Sequence, residues 1–257
     1  MRRVAYDCCP LCGHSDIPLF RSSSCDWHER YQPQLPPSMS WLQCSSCEHV
    51  FTDGYFDDEA LALLFSTTHA GQIPGSDGER GRLMWAPTVR RVASVIDSGT
   101  WLDVGFGDGS LLLTAAEWGF DPVGLDTRSD TADRMEALGI TVLDGQLANV
   151  DRGSGFDVVS FCDVLEHIPF PTTALVDAYR ILHPGGCLVV SMPNMDTHAW
   201  RQLDEARKNP YWGEIEHYHN FTRRRLVSLL SDHGFRFLSY DVATRWRLGM
   251  EILAVRE

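Results

Sequence analysis

Three groups of residues in this chain have the types and spacing to do chemistry. Cys9-x2-Cys12 in "CCPLCG" and Cys44-x2-Cys47 in "CSSC" are two thiol knuckles separated by 31 residues. Paired knuckles of this kind converge four soft donors, the set that a tetrahedral zinc takes. No ligand position looks open, so the metal is expected to be structural. Cys8, Cys25, His14 and His49 are the nearby substitutes.

The second group is "LDVGFGDGS", with Asp103 followed by Gly105, Gly107 and Gly109. Alternate glycines after a strand let the backbone approach a ligand closely, and a following helix offers free amides. A dinucleotide fingerprint would place its third glycine at position 110, which is Ser110. Asp126, 21 residues after Gly105, ends "PVGLD", where an acid can take two ribose hydroxyls. Together the loop and the acid point to a cofactor that carries a nucleoside. A tight strand-to-helix turn without a ligand is the bland alternative.

The third group is "YWGEIEHYHNFT", in which Glu214, Glu216, His217 and His219 lie among Tyr211, Trp212, Tyr218 and Phe221. Histidine titrates near neutrality and suits proton removal. In an extended segment His217 and His219 share one face. The competing use of these side chains is to cap the next helix and pack against the cysteine module. His167 in "LEHIP", with Asn194 and His198 in "MPNMDTHAW", completes the set. No nucleophile elbow is present, which argues against a hydrolase.

The elements that must position these groups fall into three textures. Residues 1–55 carry six of the eight cysteines and several prolines; 56–98 read as a helical bridge, with helical spacing in "DDEALALLFST", a breaker-rich loop in "AGQIPGSDGERG" and a helix resuming at "APTVRRVASVID" with Pro87 near its first turn. From residue 99 to 257 apolar strands ("TWLDVG", "DPVGLD", "GITVLD", "FDVVSF", "GCLVVSM") alternate with helices, the pattern of a parallel sheet covered on both faces. The helix "RRRLVSLLSDHG" then leads to "FRFLSYDV" and "RLGMEILAV", whose short link predicts an antiparallel pair at the sheet edge.

At 257 residues, 44% apolar and 22% charged, the chain suits one α/β domain plus a small appendage. A formal charge of −13 argues against a long phosphate-tracking groove. "TRRRL" at 222–226 is the densest basic cluster and reads as a solvated helix face. No run is long enough for a membrane span and the start lacks a signal-peptide pattern, so the expected compartment is a reducing cytoplasm, where paired cysteines bind metal.

In order, "LDVGFGDGS", "GLD", "FDVVSFCDVLEHI" and "RILHPGGCLVVSMPN" resemble the class I S-adenosylmethionine-dependent methyltransferases, over about residues 98–257. The resemblance implies a Rossmann-like seven-stranded α/β sheet with an antiparallel last strand, preceded here by a small zinc ribbon. It implies that Asp103 and the 105–109 loop, Phe106 included, hold the methionine end of the cofactor, and that Asp126 binds its ribose between Leu125 and Thr127. Asp144, Gln146 and Leu147 fall where adenine is contacted, although many relatives have an acid where this chain has Gln146. Cys162 and Asp163 would line the transfer channel. A zinc module ahead of such a domain resembles sugar C-methyltransferases and one group of ribosomal RNA methyltransferases. The expected activity is methyl transfer to a small molecule, a sugar or another specialised metabolite, on carbon, oxygen or nitrogen. His217, His219 and His167 are the expected acid–base residues, and residues 192–222 the substrate lid. The rivals are an RNA methyltransferase, for which Arg2, Arg3 and Arg223–Arg225 would have to form one basic face, and a non-catalytic cofactor-binding module. A nicotinamide oxidoreductase ranks last.

Overall fold

The computed structural model describes residues 3–64, 73–76, 78–151, 153, 155–245 and 248–257. Arg2, and the parts of the expected bridge at 65–72 and 77, lie outside the described residues. The chain divides into two compact units, one of residues 1–68, 166–172 and 193–229, the other of 69–165, 173–192 and 230–257.

The first unit opens with β1 (Arg3–Ala5), β2 (Leu19–Ser24), β3 (Ser38–Gln43), β4 (Val50–Thr52), β5 (Gly54–Phe56) and helix α1 (Asp58–Leu64). β1 pairs antiparallel with β5, and β2, β3 and β4 form an antiparallel meander. Its small core holds Tyr6, Cys9, Cys44 and Phe51.

The second unit begins with α2 (Gly78–Ala93) and alternates through β6 (Gly99–Val104), α3 (Ser110–Glu117), β7 (Phe120–Leu125), α4 (Ser129–Ala137), β8 (Thr141–Leu143), β9 (Phe156–Cys162), α5 (Pro171–Ile181) and β10 (Leu182–Pro193). Trp101 and Leu102 of β6 and Val158, Val159 and Phe161 of β9 are fully buried, as strands covered on both faces require. Trp101 keeps its indole satisfied by donating Nε1–H to the Ser160 hydroxyl at 2.9 Å.

The breaker-rich reading of residues 78–81 does not hold. Helix α2 starts at Gly78, so Pro87 lies inside it. Gly81 is there for packing: a Cβ on it would sit 2.1 Å from the Ser110 hydroxyl.

After β10 the chain returns to the first unit with α6 (His198–Glu205) and the short strand β11 (His219–Asn220), then runs through α7 (Arg223–Asp232). β11 pairs antiparallel with β4, His219 opposite Phe51, and extends the meander to the order β11-β4-β3-β2. Periodicity could not show this, because two residues carry no period and the pairing spans 168 positions from Phe51 to His219. Residues 193–229 therefore share a compact unit with the cysteine module, and the expected 56–98 bridge is divided between the units.

The chain ends in the second unit with β12 (Phe235–Val242) and β13 (Gly249–Arg256), the expected antiparallel edge pair. The full sheet order is β12-β13-β10-β9-β6-β7-β8. β7 and β8 leave β6 on one side, and β9 crosses back to pair with it on the other. The order therefore reverses between β6 and β9, and a crevice for ligands opens outside the carboxyl ends of strands at such a switch. Among the described residues, no helix is long and apolar enough to cross a membrane.

Candidate functional site

At the carboxyl end of β6, Asp103 is buried and its Oδ1 accepts the Ser160 hydroxyl at 2.6 Å. Burial pushes this carboxyl up to about 7, against the opposing pull of Ser160 and Arg245. Gly105, Gly107 and Gly109 all take the left-handed conformation, with φ of 69°, 56° and 73°. Their sides face different things. A Cβ on Gly105 would strike Val164 and one on Gly109 would strike the Met135 sulfur, whereas one on Gly107 would meet nothing within 4 Å. The loop thus has one face sealed by the fold and one left open at Gly107. Helix α3 starts at Ser110, whose N–H is held by the Asp108 carboxylate at 3.0 Å.

Phe106 does not present its ring to this open face. It is buried in the core, packed where Gly124 leaves room, so only its backbone remains for a ligand. Asp126 follows β7 and is gripped by Arg128, and Thr127 is exposed. Asp144 and Gln146 are exposed beyond β8, and Leu147 is buried. Cys162 and Asp163 end β9 across the switch from Asp103. Burial holds the Cys162 thiol well above its ordinary value. Asp163, with φ of 57°, donates its N–H to Ser191 O at 2.9 Å and accepts Arg245 on Oδ2 at 2.7 and 3.0 Å. Arg245 also lies over the Trp85 ring, 3.7 Å from its centroid. Sequence reading missed Arg128 and Arg245. The first carried a signal, an arginine two positions after the acid; the second, in the link between the last two strands, carried none.

In the first unit, the thiols of Cys9, Cys12, Cys44 and Cys47 all lie within 4.8 Å of one another. Sγ–Sγ distances are 3.6 Å for Cys9–Cys47 and 3.5 Å for Cys12–Cys44. Zn–S bonds of about 2.3 Å in a tetrahedron put sulfurs about 3.8 Å apart, so the four donors fit the ion. Both knuckles close alike: Gly13 N–H to Cys9 O and Glu48 N–H to Cys44 O, each at 2.9 Å. Cys25 and His49 are turned elsewhere, towards Pro36 O and His219 respectively.

The histidines of the same unit divide into two kinds. His219 donates Nε2–H to Ile168 O and receives His49 Nε2–H on Nδ1, both at 3.0 Å. Burial pushes it down to about 4, so it is neutral and both nitrogens are committed. Its geometry is that of a brace between β11, β4 and Ile168, with both ring nitrogens engaged by the protein. His167 and His217 meet edge to face, ring centroids 4.6 Å apart. His167 donates Nδ1–H to Glu216 O at 3.0 Å, which leaves the lone pair on Nε2. His217 is buried with Nδ1 unpartnered, and burial, with His167 beside it, holds it down at about 3. The ligand atoms of Glu166, His167 and His217 lie within 4.8 Å of one another. Asn194 is buried, its Oδ1 accepting Asp196 N–H at 3.0 Å, while His198 is exposed at the start of α6. Trp200 stacks on Tyr211 at 5.1 Å.

A family described as a methyltransferase domain matches residues 78–240, well over half of the chain. The chain belongs to this methyltransferase family. Among its relatives, the ubiquinone biosynthesis O-methyltransferase of Pectobacterium atrosepticum is 36% identical over 107 residues, 38% of this chain and 44% of the relative. The mitochondrial enzyme of the same name from Candida albicans is 30% identical over 156 residues, 56% of this chain and 46% of the relative. The chain thus spans about half the length of the curated relatives it matches. Solved structures share the fold. The 1,6-didemethyltoxoflavin N1-methyltransferase of Burkholderia thailandensis superposes with a TM-score of 0.59 at 17% identity, covering 82% of this chain and 97% of that one. For the magnesium protoporphyrin IX methyltransferase of Synechocystis the TM-score is 0.57 at 20% identity, with 79% and 97% covered. The family match takes in the glycine loop, Asp126, the β9 end and α7, but not the four cysteines.

Proposed function

We propose that the chain transfers a methyl group from S-adenosylmethionine to a small-molecule acceptor. The observation that carries this reading is the loop at the β6–β9 switch, sealed at Gly105 and Gly109 and open at Gly107, between the carboxylates Asp103 and Asp126. These residues fit the donor. Asp103 offers a buried acceptor to an ammonium, the open face of Gly107 admits the methionine chain, and Asp126 suits a ribose hydroxyl. Gln146 and Leu147 are assigned to the adenine edge, and Cys162 and Asp163 to the passage toward the methyl. When bound, the donor supplies a methyl group activated by a sulfonium. The protein's part is to orient the acceptor, exclude water and take up a proton.

His167 and His217 are assigned to the proton. The Nε2 lone pair of His167 is set by its Nδ1 bond to Glu216 O, and the low basicity of His217 keeps that neighbour neutral. Names of relatives that act on ubiquinone precursors or on 1,6-didemethyltoxoflavin favour small acceptors; a sugar or another specialised metabolite is the class we favour, by resemblance to zinc-bearing C-methyltransferases. The four cysteines are assigned to a structural zinc. An RNA acceptor fares worse, since Arg224 of the basic cluster is paired with Glu48.

The test is label transfer from methyl-labelled S-adenosylmethionine to a cell extract separated into small-molecule and RNA fractions. Label in the small-molecule pool, lost with His167→Ala and His217→Ala but kept with His219→Ala in its folded fraction, is the expected result. Label in RNA alone would overturn the acceptor class. Parental transfer by both His167→Ala and His217→Ala would overturn the base.

A further inference from the structure

The loop after β2 in the cysteine module, "CDWHER" from Cys25 to Arg30, takes no part in the reading above. In the structure it is the element that grips the 213–217 segment of the same unit. His28 accepts the Arg30 backbone N–H on Nδ1 at 3.2 Å, which leaves its proton on Nε2, and Nε2 pairs with the Glu214 carboxylate. Arg30 pairs through Nε with Glu216 and donates Nη1 to Leu64 O at 3.2 Å. Both bases are buried, His28 at 9% and Arg30 at 6% exposure. The backbones are also as close as they can be: a Cβ on Gly213 would lie 2.3 Å from Ser24 O and 2.8 Å from the Trp27 indole.

Each gripped acid fixes a histidine through its own backbone. Glu214 O accepts His217 N–H at 3.1 Å, closing the turn, and Glu216 O accepts His167 Nδ1–H at 3.0 Å. Tyr218 N–H to Glu166 O at 2.9 Å ties the turn to the 166–168 segment from the other side. A buried ion pair such as Arg30–Glu216 recovers in attraction roughly what it loses in desolvation, so together with the His28 Nε2–H bond to the Glu214 carboxylate it contributes orientation more than stability. We propose that His28 and Arg30 are positioning residues: by holding Glu214 and Glu216 they set the turn that presents His217 and fixes the tautomer of His167. The inference rests on the assignment of His167 and His217 to proton removal.

Long-range 15N–1H spectra of the full, zinc-loaded chain read the tautomer directly and need no acceptor. The parent should show His167 as the Nδ1–H form. Arg30→Met should mix in the Nε2–H form, lower label transfer to the small-molecule fraction at least tenfold, and leave S-adenosylhomocysteine affinity within twofold; Arg30→Lys should recover part of both readouts. Because Arg30→Met leaves Glu216 without this cation, Arg30→Met with Glu216→Gln is the variant that keeps the test open if the single one fails to fold. It should show the same mixed tautomer and no greater loss than the single change. A pure Nδ1–H His167 with parental transfer in both variants overturns the positioning role, while loss of transfer in His167→Ala and His217→Ala leaves the base assignment standing. Parental transfer in those two alanine variants overturns the base assignment and the positioning role with it.

Discussion

Arg128 holds Asp126 through both carboxylate oxygens, Nε to Oδ1 at 2.9 Å and Nη2 to Oδ2 at 2.6 Å, and its backbone N–H adds a bond to Oδ1 at 3.0 Å. A carboxylate has about four acceptor directions. Three are taken, so the clamp orients Asp126 and leaves one direction, on Oδ2, for a ribose hydroxyl. Asp126→Ala should weaken S-adenosylhomocysteine binding by roughly 10-fold to 10²-fold, about 1.5–3 kcal/mol for one charge-assisted hydrogen bond. Arg128→Met, which frees the carboxylate to turn, should weaken it by several fold. Titration calorimetry decides: tighter binding by Arg128→Met would make the arginine a plug and not a brace.

Asp103 links donor binding to protons. With its carboxyl raised to about 7 by burial, the native state binds more protons than the unfolded chain between about pH 4 and 7. Its contribution to stability is therefore present below that window and falls as pH rises through it, by up to about 1.4 kcal/mol per unit. An ammonium placed against it would favour the carboxylate. Binding of S-adenosylhomocysteine at pH 6 should release close to one proton, measured from calorimetry in buffers of different ionisation heat. The release should vanish at pH 8.5 and in Asp103→Asn; its absence at pH 6 would take the ammonium away from Asp103.

The buried imidazoles carry the opposite sign. His217 is held at about 3 and His219 at about 4, below the ordinary histidine value of 6.5, because burial penalises the cation. The unfolded chain then binds more protons, and the stability they contribute is lost as pH falls below about 6.5 toward 4. Urea unfolding at pH 7.5 and 5.5 should show this loss, and His217→Gln should reduce its slope by up to about 1.4 kcal/mol per pH unit. An unchanged slope would mean that His217 is solvated and protonates freely.

Much of the second unit was legible in the sequence because its strands are short apolar runs with helices between them, and parallel strands buried on both faces leave that trace. Asp103, Asp126 and the glycines stood out for the same reason, being punctuation at the ends of such runs. The first unit was not legible in this way. β11 has two residues, and what makes it a strand is β4, far away in the chain. His217 and His219 look equivalent as H-x-H, yet their partners separate them: His49 and Ile168 O take both nitrogens of His219, whereas Nδ1 of His217 has none. Spacing cannot report which nitrogen is taken. Phe106 shows the limit inside a motif, since its place between two cradle glycines suggested the ligand and the space above Gly124 drew its ring into the core.

The cysteine cluster predicts one zinc per chain by elemental analysis. Structural zinc binding is folding free energy, so chelation should melt the first unit while the second keeps its own transition. Differential scanning calorimetry should resolve a low transition after chelation that readdition of zinc reverses, and Cys44→Ser should show it without chelator. A metal-free protein that melts like the parent would assign the thiols some other role.

Fold and function separate within the glycine loop. Gly107 and Gly109 share the left-handed conformation, so an alanine at either costs about 1–2 kcal/mol of backbone strain. There the likeness ends. At Gly109 the new methyl would lie 2.3 Å from the Met135 sulfur inside the core, and the neighbours must move. At Gly107 it would enter open space, on the face assigned to the donor. Gly109→Ala should therefore be the less stable protein by a further 1 kcal/mol or more, of the order found for overpacked cores. Gly107→Ala should stay near the strain cost alone and lose S-adenosylhomocysteine binding by at least tenfold. Chemical denaturation and calorimetry on the two variants give the comparison. If Gly107→Ala binds like the parent, the open face of the loop is not where the donor lies.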